Sequence, residues 1–353
     1  MRPSLRTIAE AAGVSVATAS FALRGLAHVR PETRARVLAA AGKLGYVRDP
    51  QLANALAFAR RRNKRVYRES LAFLADTPAK NYPAMTWLAR MHAGAAGRAA
   101  ELGYGLECFK YPADAKAQRA QSRQLHARGI RGLLLTPGLS RVPFTLDMDW
   151  ARFSSVEIGQ TVRPALLPRI VSDYTDDYLA MMNELHLRGY RRIGLAVMEW
   201  EEARRQWSII AGYLAFHHRN PDLPKLTVLP TIAQEPALPK KAFFAWLRRE
   251  KPDVIIVNGP EMGAWLQEDG WKLPGDIGLC RIDALESADS GLHPDHAGMG
   301  RAGVNSLAAG MERGEIGPPP SPSLLCIPNA WHEGTTLRPR PDTAPPLALP
   351  LCR

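Results

Sequence analysis

Apolar residues in the first 45 positions recur at helical intervals. Leu5, Ile8, Ala9 and Ala12 share one face of a short helix, with Ser4 as its N-cap and Gly13 as its exit. After the turn Gly13-Val14-Ser15, a second helix reads Val16-Ala17-Thr18-Ala19-Ser20-Phe21-Ala22-Leu23. A third opens at Pro31 with Glu32 in its first turn, runs through Val37, Leu38, Ala41 and Leu44, and stops at Gly45. The small residues Ala9, Gly13 and Ala19 let two helices cross closely, as a helix-turn-helix requires. Pro50 to Arg60 is a further proline-initiated helical segment, rich in Ala and Leu.

From residue 69 the period changes. Short apolar runs predict strands at Leu71–Ala75, Leu106–Phe109, Gly132–Thr136, Ser155–Ile158, Ile193–Val197, Val254–Val257 and Gly278–Ile282. Helical patterns separate them, such as Leu88, Met91, Ala95, Ala99 and Leu102, or Trp207, Ile210, Ala211 and Leu214. Strand-helix alternation predicts parallel sheets covered by helices on both faces. One such run before about residue 160 and one after it predict two doubly wound lobes with a cleft between them. The expected fold is thus a small all-α helix-turn-helix headpiece plus an α/β two-lobed core. Pro318 to Pro322 reads as a connector, and 338–353, with five prolines, as a disordered tail.

Charge sharpens this division. Residues 1–68 hold fourteen Lys/Arg against three Asp/Glu, which accounts for all but one of the net +12 of the 353-residue chain. A basic segment joined to a neutral body is the electrostatic footprint of a polyanion-binding module. No apolar run approaches the length needed to span a bilayer, and MRPSLRTIAEAAG lacks the apolar stretch of a signal peptide, so a cytoplasmic protein is expected. Cys108, Cys280, Cys326 and Cys352 are scattered, with no CxxC pair or metal-ligand spacing, and read as reduced thiols. No metal or cofactor is expected. The chain has no GxSxG elbow, Walker loop, HExxH, or GxGxxG after its first strand, and its nine histidines are dispersed, so catalysis is not expected.

Ile8-Ala9-Glu10-Ala11-Ala12-Gly13-Val14-Ser15-Val16-Ala17-Thr18-Ala19-Ser20 resembles the headpiece of the lactose-repressor (LacI) family. Pro31-Glu32-Thr33-Arg34-Ala35-Arg36-Val37-Leu38 and Leu44-Gly45-Tyr46 continue the likeness in order and spacing. In the body, Arg128 to Leu135, Gly189 to Gly194, Lys251-Pro252-Asp253-Val254 and Trp331-His332-Glu333-Gly334-Thr335-Thr336 resemble the periplasmic-binding-protein-like core of the same regulators. The resemblance implies a bacterial cytoplasmic repressor, a homodimer on a roughly palindromic double-stranded operator, modulated by a small molecule, a sugar or sugar derivative, between its lobes. It divides the chain into a headpiece (1–48), a hinge helix and basic linker (49–68), a core (69–337) and the tail. Three passages between lobes are implied, near Ile158–Pro164, Leu285–Ser290 and Pro322. Lobe 1 would then hold about 69–160 and 288–320, and lobe 2 about 164–285 and 323–337.

Candidate DNA contacts follow from residue chemistry. Ser15, Thr18 and Ser20 offer hydroxyls to backbone phosphates, while Val16 and Ala17 open the helix that would face base edges and suit thymine methyls. Phe21 and Arg24 depart from the family, which commonly carries Arg and Asn there, so the expected operator differs from the common one. Leu56, with Leu52 second, is the candidate minor-groove wedge, although both could instead bury in a dimer contact. Arg60, Arg61, Arg62, Lys64 and Arg65 follow as phosphate contacts or as a solvated run.

Candidate effector contacts are Asp173, Asn258 and Asp283, each at or just beyond a strand end, where a local backbone cap is the competing role, together with Arg205 from a turn. Ile209 stands where sugar-sensing relatives hold an Arg, and Arg204 or Arg205 is the candidate replacement. Trp87, Trp200 and Trp207 are candidate stacking surfaces. Two further readings stay open: a DNA-binding regulator with a degenerate, unresponsive cleft, and, more distantly, a transport-type binding protein.

Overall fold

Along the buried strands, alternate side chains enter different cores. In the computed structural model, Leu71, Phe73 and Ala75 of β1 (Glu69–Ala75) pack into one cluster, while Ala72 and Leu74 pack into another. Val254 and Ile256 of β10 (Val254–Val257) likewise face one cluster, and Ile255 and Val257 the opposite one. Because a strand projects successive side chains to opposite faces, an all-apolar run is what a sheet sandwiched between helices demands. Each such side chain, fully withdrawn from water, contributes about 1.5–3 kcal/mol. The structure describes residues 5–23, 29–44, 69–112, 114–138, 144–163, 166–231, 239–259, 261–284 and 288–349.

The headpiece comprises α1 (Leu5–Ala12), α2 (Val16–Leu23) and α3 (Pro31–Lys43). Ile8, Ala9, Ala12, Ala19, Ala22, Val29, Val37 and Ala41 form its core. Gly13 takes φ +61°, the left-handed backbone that turns the chain from α1 into α2. Leu38 and Leu44, expected on the inner face of α3, are exposed instead. Val37 and Ala41, four residues apart, already fill the narrow contact that three short helices offer.

Lobe 1 carries a six-stranded, all-parallel sheet in the order β2 (Tyr104–Lys110), β1, β3 (Gly132–Leu135), β5 (Ser154–Ile158), β7 (Arg169–Ser172) and β13 (Leu324–Ile327). A short parallel pair, β4 (Phe144–Thr145) with β6 (Val162–Arg163), lies beside it. Its helices are α4 (Thr86–Leu102), α5 (Ala115–Ala127) and α11 (His296–Arg313). A Cβ on Gly94 would lie 2.1 Å from the Ala297 carbonyl oxygen, and one on Gly300 2.1 Å from that of Met91. Only glycine permits α4 and α11 to cross this closely.

Lobe 2 orders β9 (Leu229–Thr231), β8 (Ile193–Met198), β10, β11 (Gly278–Arg281), β12 (Ser290–His293) and β14 (Ala330–His332), the last antiparallel to β12. Its helices are α6 (Tyr174–Leu187), α7 (Glu199–Arg204), α8 (Ser208–Arg219), α9 (Lys240–Glu250) and α10 (Glu261–Glu268). Among the described residues no helix is long and apolar enough to cross a membrane.

The passages between lobes lie later than expected. They fall between Ser172 and Tyr174, between His293 and His296, and between Ile327 and Ala330. The division near 160 and the connections near 285–290 and 322 are therefore corrected. β7 and β13 belong to lobe 1, and β12 to lobe 2, because each pairs with that lobe's sheet. The disordered tail is corrected too, for residues 338–349. Leu347 and Leu349 pack into the lobe 2 core, the Arg338 guanidinium sits 4.4 Å from the Tyr190 ring centroid, and Arg340 Nε donates to Glu184 at 2.9 Å. The prolines bar helix and sheet there, but not burial. Residues 49–68, with Leu52, Leu56 and the basic run, lie outside the described residues, as does Arg24.

Candidate functional site

Two places gather the residues singled out above. The first is the start of α2. The Thr18 amide donates to Ser15 Oγ at 3.0 Å, and the Ser15 and Thr18 hydroxyls lie 2.8 Å apart. Ser15 is thus the N-cap of α2, satisfying one of the amides that a helix start leaves open. Its hydroxyl is engaged by the helix before anything else approaches. Val16, next along, is 47% exposed, an unusual position for an apolar side chain next to a capped helix end. Ala17 and Ser20 lie on the same helix; their side chains are outside the described set. Phe21 follows on the same helix. It is half-buried and packs one side against the headpiece core, as an aromatic beside so small a cluster of apolar side chains tends to do.

The second place is a cleft of about 360 Å³ between the lobes. Every passage of chain from lobe to lobe borders it, through Ser172 and Tyr174, Pro294 and His296, and Asn329. From lobe 1 it receives Trp87, Met91 and Met299, with the turn Gly159-Gln160-Thr161. That turn is held from beneath. The Thr161 and Val162 amides donate to Glu157 Oε1 at 2.6 and 2.9 Å, and the Gly138 amide to Thr161 Oγ1 at 2.9 Å. Burial raises the Glu157 pKa, and those two amides pull the other way.

From lobe 2 the cleft receives groups that follow three strands in sheet order. Glu201, Arg204 and Arg205 follow β8, Asn258 follows β10, and Ile282-Asp283 follow β11. Open parallel sheets place ligand groups at these carboxyl ends because only there do loops escape the helices on each face. Arg205 Nη1 donates to Glu201 Oε2 at 3.0 Å. Burial opposes the charge on Arg205, but Glu201 and the phenols of Tyr178 and Tyr174 outweigh it, so its pKa is raised and it stays cationic. Arg204 shifts the other way, lowered by burial and then by the neighbouring Arg205. The turn after this pair holds two successive non-glycine residues at positive φ, Gln206 (57°) and Trp207 (62°). Such backbone costs on the order of 1–3 kcal/mol per residue and persists only where its surroundings enforce it. Glu202, fully buried, does so by accepting from the Ile210 amide at 3.1 Å.

Arg205, Asn258 and Asp283 therefore line one cleft. Asp173 does not: it precedes α6, and its amide donates to the Ile327 carbonyl at 3.0 Å. Ile209 is fully buried in the lobe 2 core. Of the tryptophans, Trp87 lines the cleft, Trp207 does not, and the Trp200 side chain is outside the described set.

Sequence reasoning missed His296 and Asn329. Asn329 is 2% exposed; its amide donates to Asp177 Oδ2 at 3.0 Å, while its own Oδ1 has no partner. Asp177 is pushed up to about 7 by burial, with Asp173 and Asp176 adding to the rise and the Asn329 amide opposing it. His296 is pushed down to about 4, by burial first and then by His293 and Arg90 against Asp283 and Asp295, and its Nδ1 has no partner. A neutral imidazole there offers one donor and one acceptor. Nearby, Arg90 of lobe 1 meets His293 of lobe 2 at 3.2 Å. Placing the passages correctly would have exposed both residues, since each sits in one.

Comparison with known proteins follows the same division. The family model described as bacterial regulatory proteins, lacI family, matches residues 4–49. The HTH-type transcriptional regulator GntR of Pseudomonas aeruginosa is 49% identical over 73 residues, a match that spans 21% of this chain and only 21% of that relative. The lac repressor dimer bound to operator and the anti-inducer ONPF superposes with a TM-score of 0.56 at 18% identity, over 95% of this chain and 99% of that one. The transcriptional regulator CelR in complex with cellobiose gives 0.54 at 18%, over 95% and 100%. A LacI-family transcriptional regulator from Rhizobium etli gives 0.60 at 17%, over 76% and 98%. Residues 4–49 thus match the headpiece of the lacI family of bacterial regulatory proteins, and the rest of the chain shares the fold of solved regulators of that type.

Proposed function

We propose that this protein is a sequence-specific, DNA-binding transcriptional repressor whose operator affinity changes with a small molecule held between its two lobes. The observation that carries the reading is the position of the cleft: every connection between the lobes borders it, so a ligand that alters the angle between lobes must act on all three at once. Its volume falls at the lower end of the ~300–1,000 Å³ common for small-molecule sites. The solved LacI-family structures with operator or cellobiose support the same division of labour.

On DNA, a homodimer presents the two α2 helices to successive major grooves of a roughly palindromic operator. Val16 and Ala17 meet base edges, favouring thymine methyls, and Ser15, Thr18 and Ser20 face the phosphates. Arg24, next in sequence after α2, adds a cation, and Leu56 of the hinge segment wedges the centre of the site. In the cleft, Arg205, Asn258 and Asp283 hold the effector, and Asp173, outside the lining, braces the adjoining passage through its amide. The protein works by binding and not by catalysis, in the cytoplasm where its operator lies. Coupling arises because the effector's differential affinity for two lobe arrangements alters operator affinity reciprocally.

The test is a selection of bound sites from random duplexes, followed by anisotropy titrations on the selected operator. A half-symmetric site that Val16→Ser weakens and re-specifies supports the reading. Uniform binding to all duplexes, unaffected by Val16→Ser, overturns it.

A further inference from the structure

The cleft is polar in a directional way. Adjacent strands in a sheet are about 4.8 Å apart, so the groups after β8 and after β11, two strands away, are separated by roughly 10 Å. At the β8 end, two guanidinia, Arg204 and Arg205, flank the single carboxylate of Glu201. Arg205 uses Nη1 on Glu201, which leaves most of its five N–H donors for something else in the cleft. At the other end the groups are acceptors: Asp283, and Asn329 with its buried, unpartnered Oδ1. Asn258 stands between, and Trp87, Met91 and Met299 form an apolar wall.

We propose that the effector is a polyhydroxylated carboxylate, a sugar acid whose carboxylate docks on Arg205 and whose hydroxyls donate to Asn329 and Asp283. The proposal rests on the reading of the cleft as the effector site and adds the chemical class. A planar guanidinium matches a carboxylate through two parallel hydrogen bonds, which a single sugar hydroxyl cannot supply. A six-carbon chain of roughly 6 Å, with a hydrogen bond of about 3 Å at each end, spans the distance between the two ends. A neutral sugar in the same place would meet the Arg205 fork only through single hydroxyls and forgo the paired, charge-assisted geometry.

The experiment is isothermal titration of the full-length protein with matched hexoses, hexonates and hexuronates in the gluco, galacto and manno configurations. At least one acid is expected to bind about tenfold or more tightly than its neutral hexose. Arg205→Gln should erase that preference, and Arg205→Lys should restore part of it. A neutral hexose that binds as tightly as its acid overturns the inference but leaves the cleft reading intact. If no compound in the panel binds, the inference fails; the cleft reading fails with it only if operator affinity is also unmoved by a wider panel of neutral sugars. Should Arg205→Gln not fold, the ratio of acid to hexose binding in the unaltered protein decides alone.

Discussion

The headpiece and the cleft are built to different tolerances. The headpiece is held by eight small or medium side chains, Ile8 and Val37 among them, and residues 4–49 match the lacI family model. The core keeps the fold of its structural neighbours at 17–18% identity. A module that must straddle a duplex of fixed pitch and groove width has little room to vary its framework. The lining of a cleft between lobes is free to vary, provided the sheets behind it stay packed.

The widest contrast is in stability. Trp246 on α9 is 1% exposed, stacks on Phe243 and donates its Nε1 to the Thr227 carbonyl at 2.7 Å. Trp246→Ala should destabilise lobe 2 by about 3–5 kcal/mol and leave the headpiece's own resonances unchanged, as two-dimensional NMR can follow. An equal loss in both regions would break the comparison.

Asp177 provides a pH signature confined to the core. Its carboxyl is raised to about 7 from an ordinary 3.8, so the folded state holds a proton that the unfolded chain releases. Stability should therefore fall as pH rises from about 4 through about 7. Asp177→Asn keeps an acceptor for the Asn329 amide and should flatten that slope, gaining roughly 1–3 kcal/mol at pH 8 in urea melts. A slope unchanged by the substitution would show that another group titrates.

In the headpiece the effects are smaller. Phe21→Ala should cost about 1–2 kcal/mol of headpiece stability, with operator sequence preference retained, because the ring packs inward. A shift in selected half-site would return Phe21 to the role of reader. Ser15→Ala should remove the α2 cap for about 1 kcal/mol and weaken operator binding without touching ligand binding in the cleft, as paired anisotropy and calorimetry would register.

Much of this was legible in the chain, for identifiable reasons. All seven predicted strands form, because buried parallel strands write themselves as unbroken apolar runs. Arg169–Ser172 and Ser290–His293 escaped notice because each is four residues long and mixes polar with apolar side chains. Their burial comes from neighbouring strands and not from their own pattern. Leu324–Ile327 failed in the opposite sense. It is apolar but lies at a sheet edge with Leu324 and Leu325 exposed, after a proline-rich stretch that reads as connector. Asn258 and Asp283 could be found because they follow recognisable strands. His296 and Asn329 could not, since a passage between lobes has no period and is located only once the pairing of β12 and β13 is known.

The late arrival of the closing pieces has a consequence for how the protein comes into being. The lobe 1 sheet lacks its edge strand until residue 327 is made, and the lobe 2 core lacks Leu347 and Leu349 until the chain has passed residue 349. The headpiece needs nothing beyond its first 44 residues and leaves the ribosome first. During synthesis the helix-turn-helix unit is thus complete while both lobes still wait for the strand and side chains that close them.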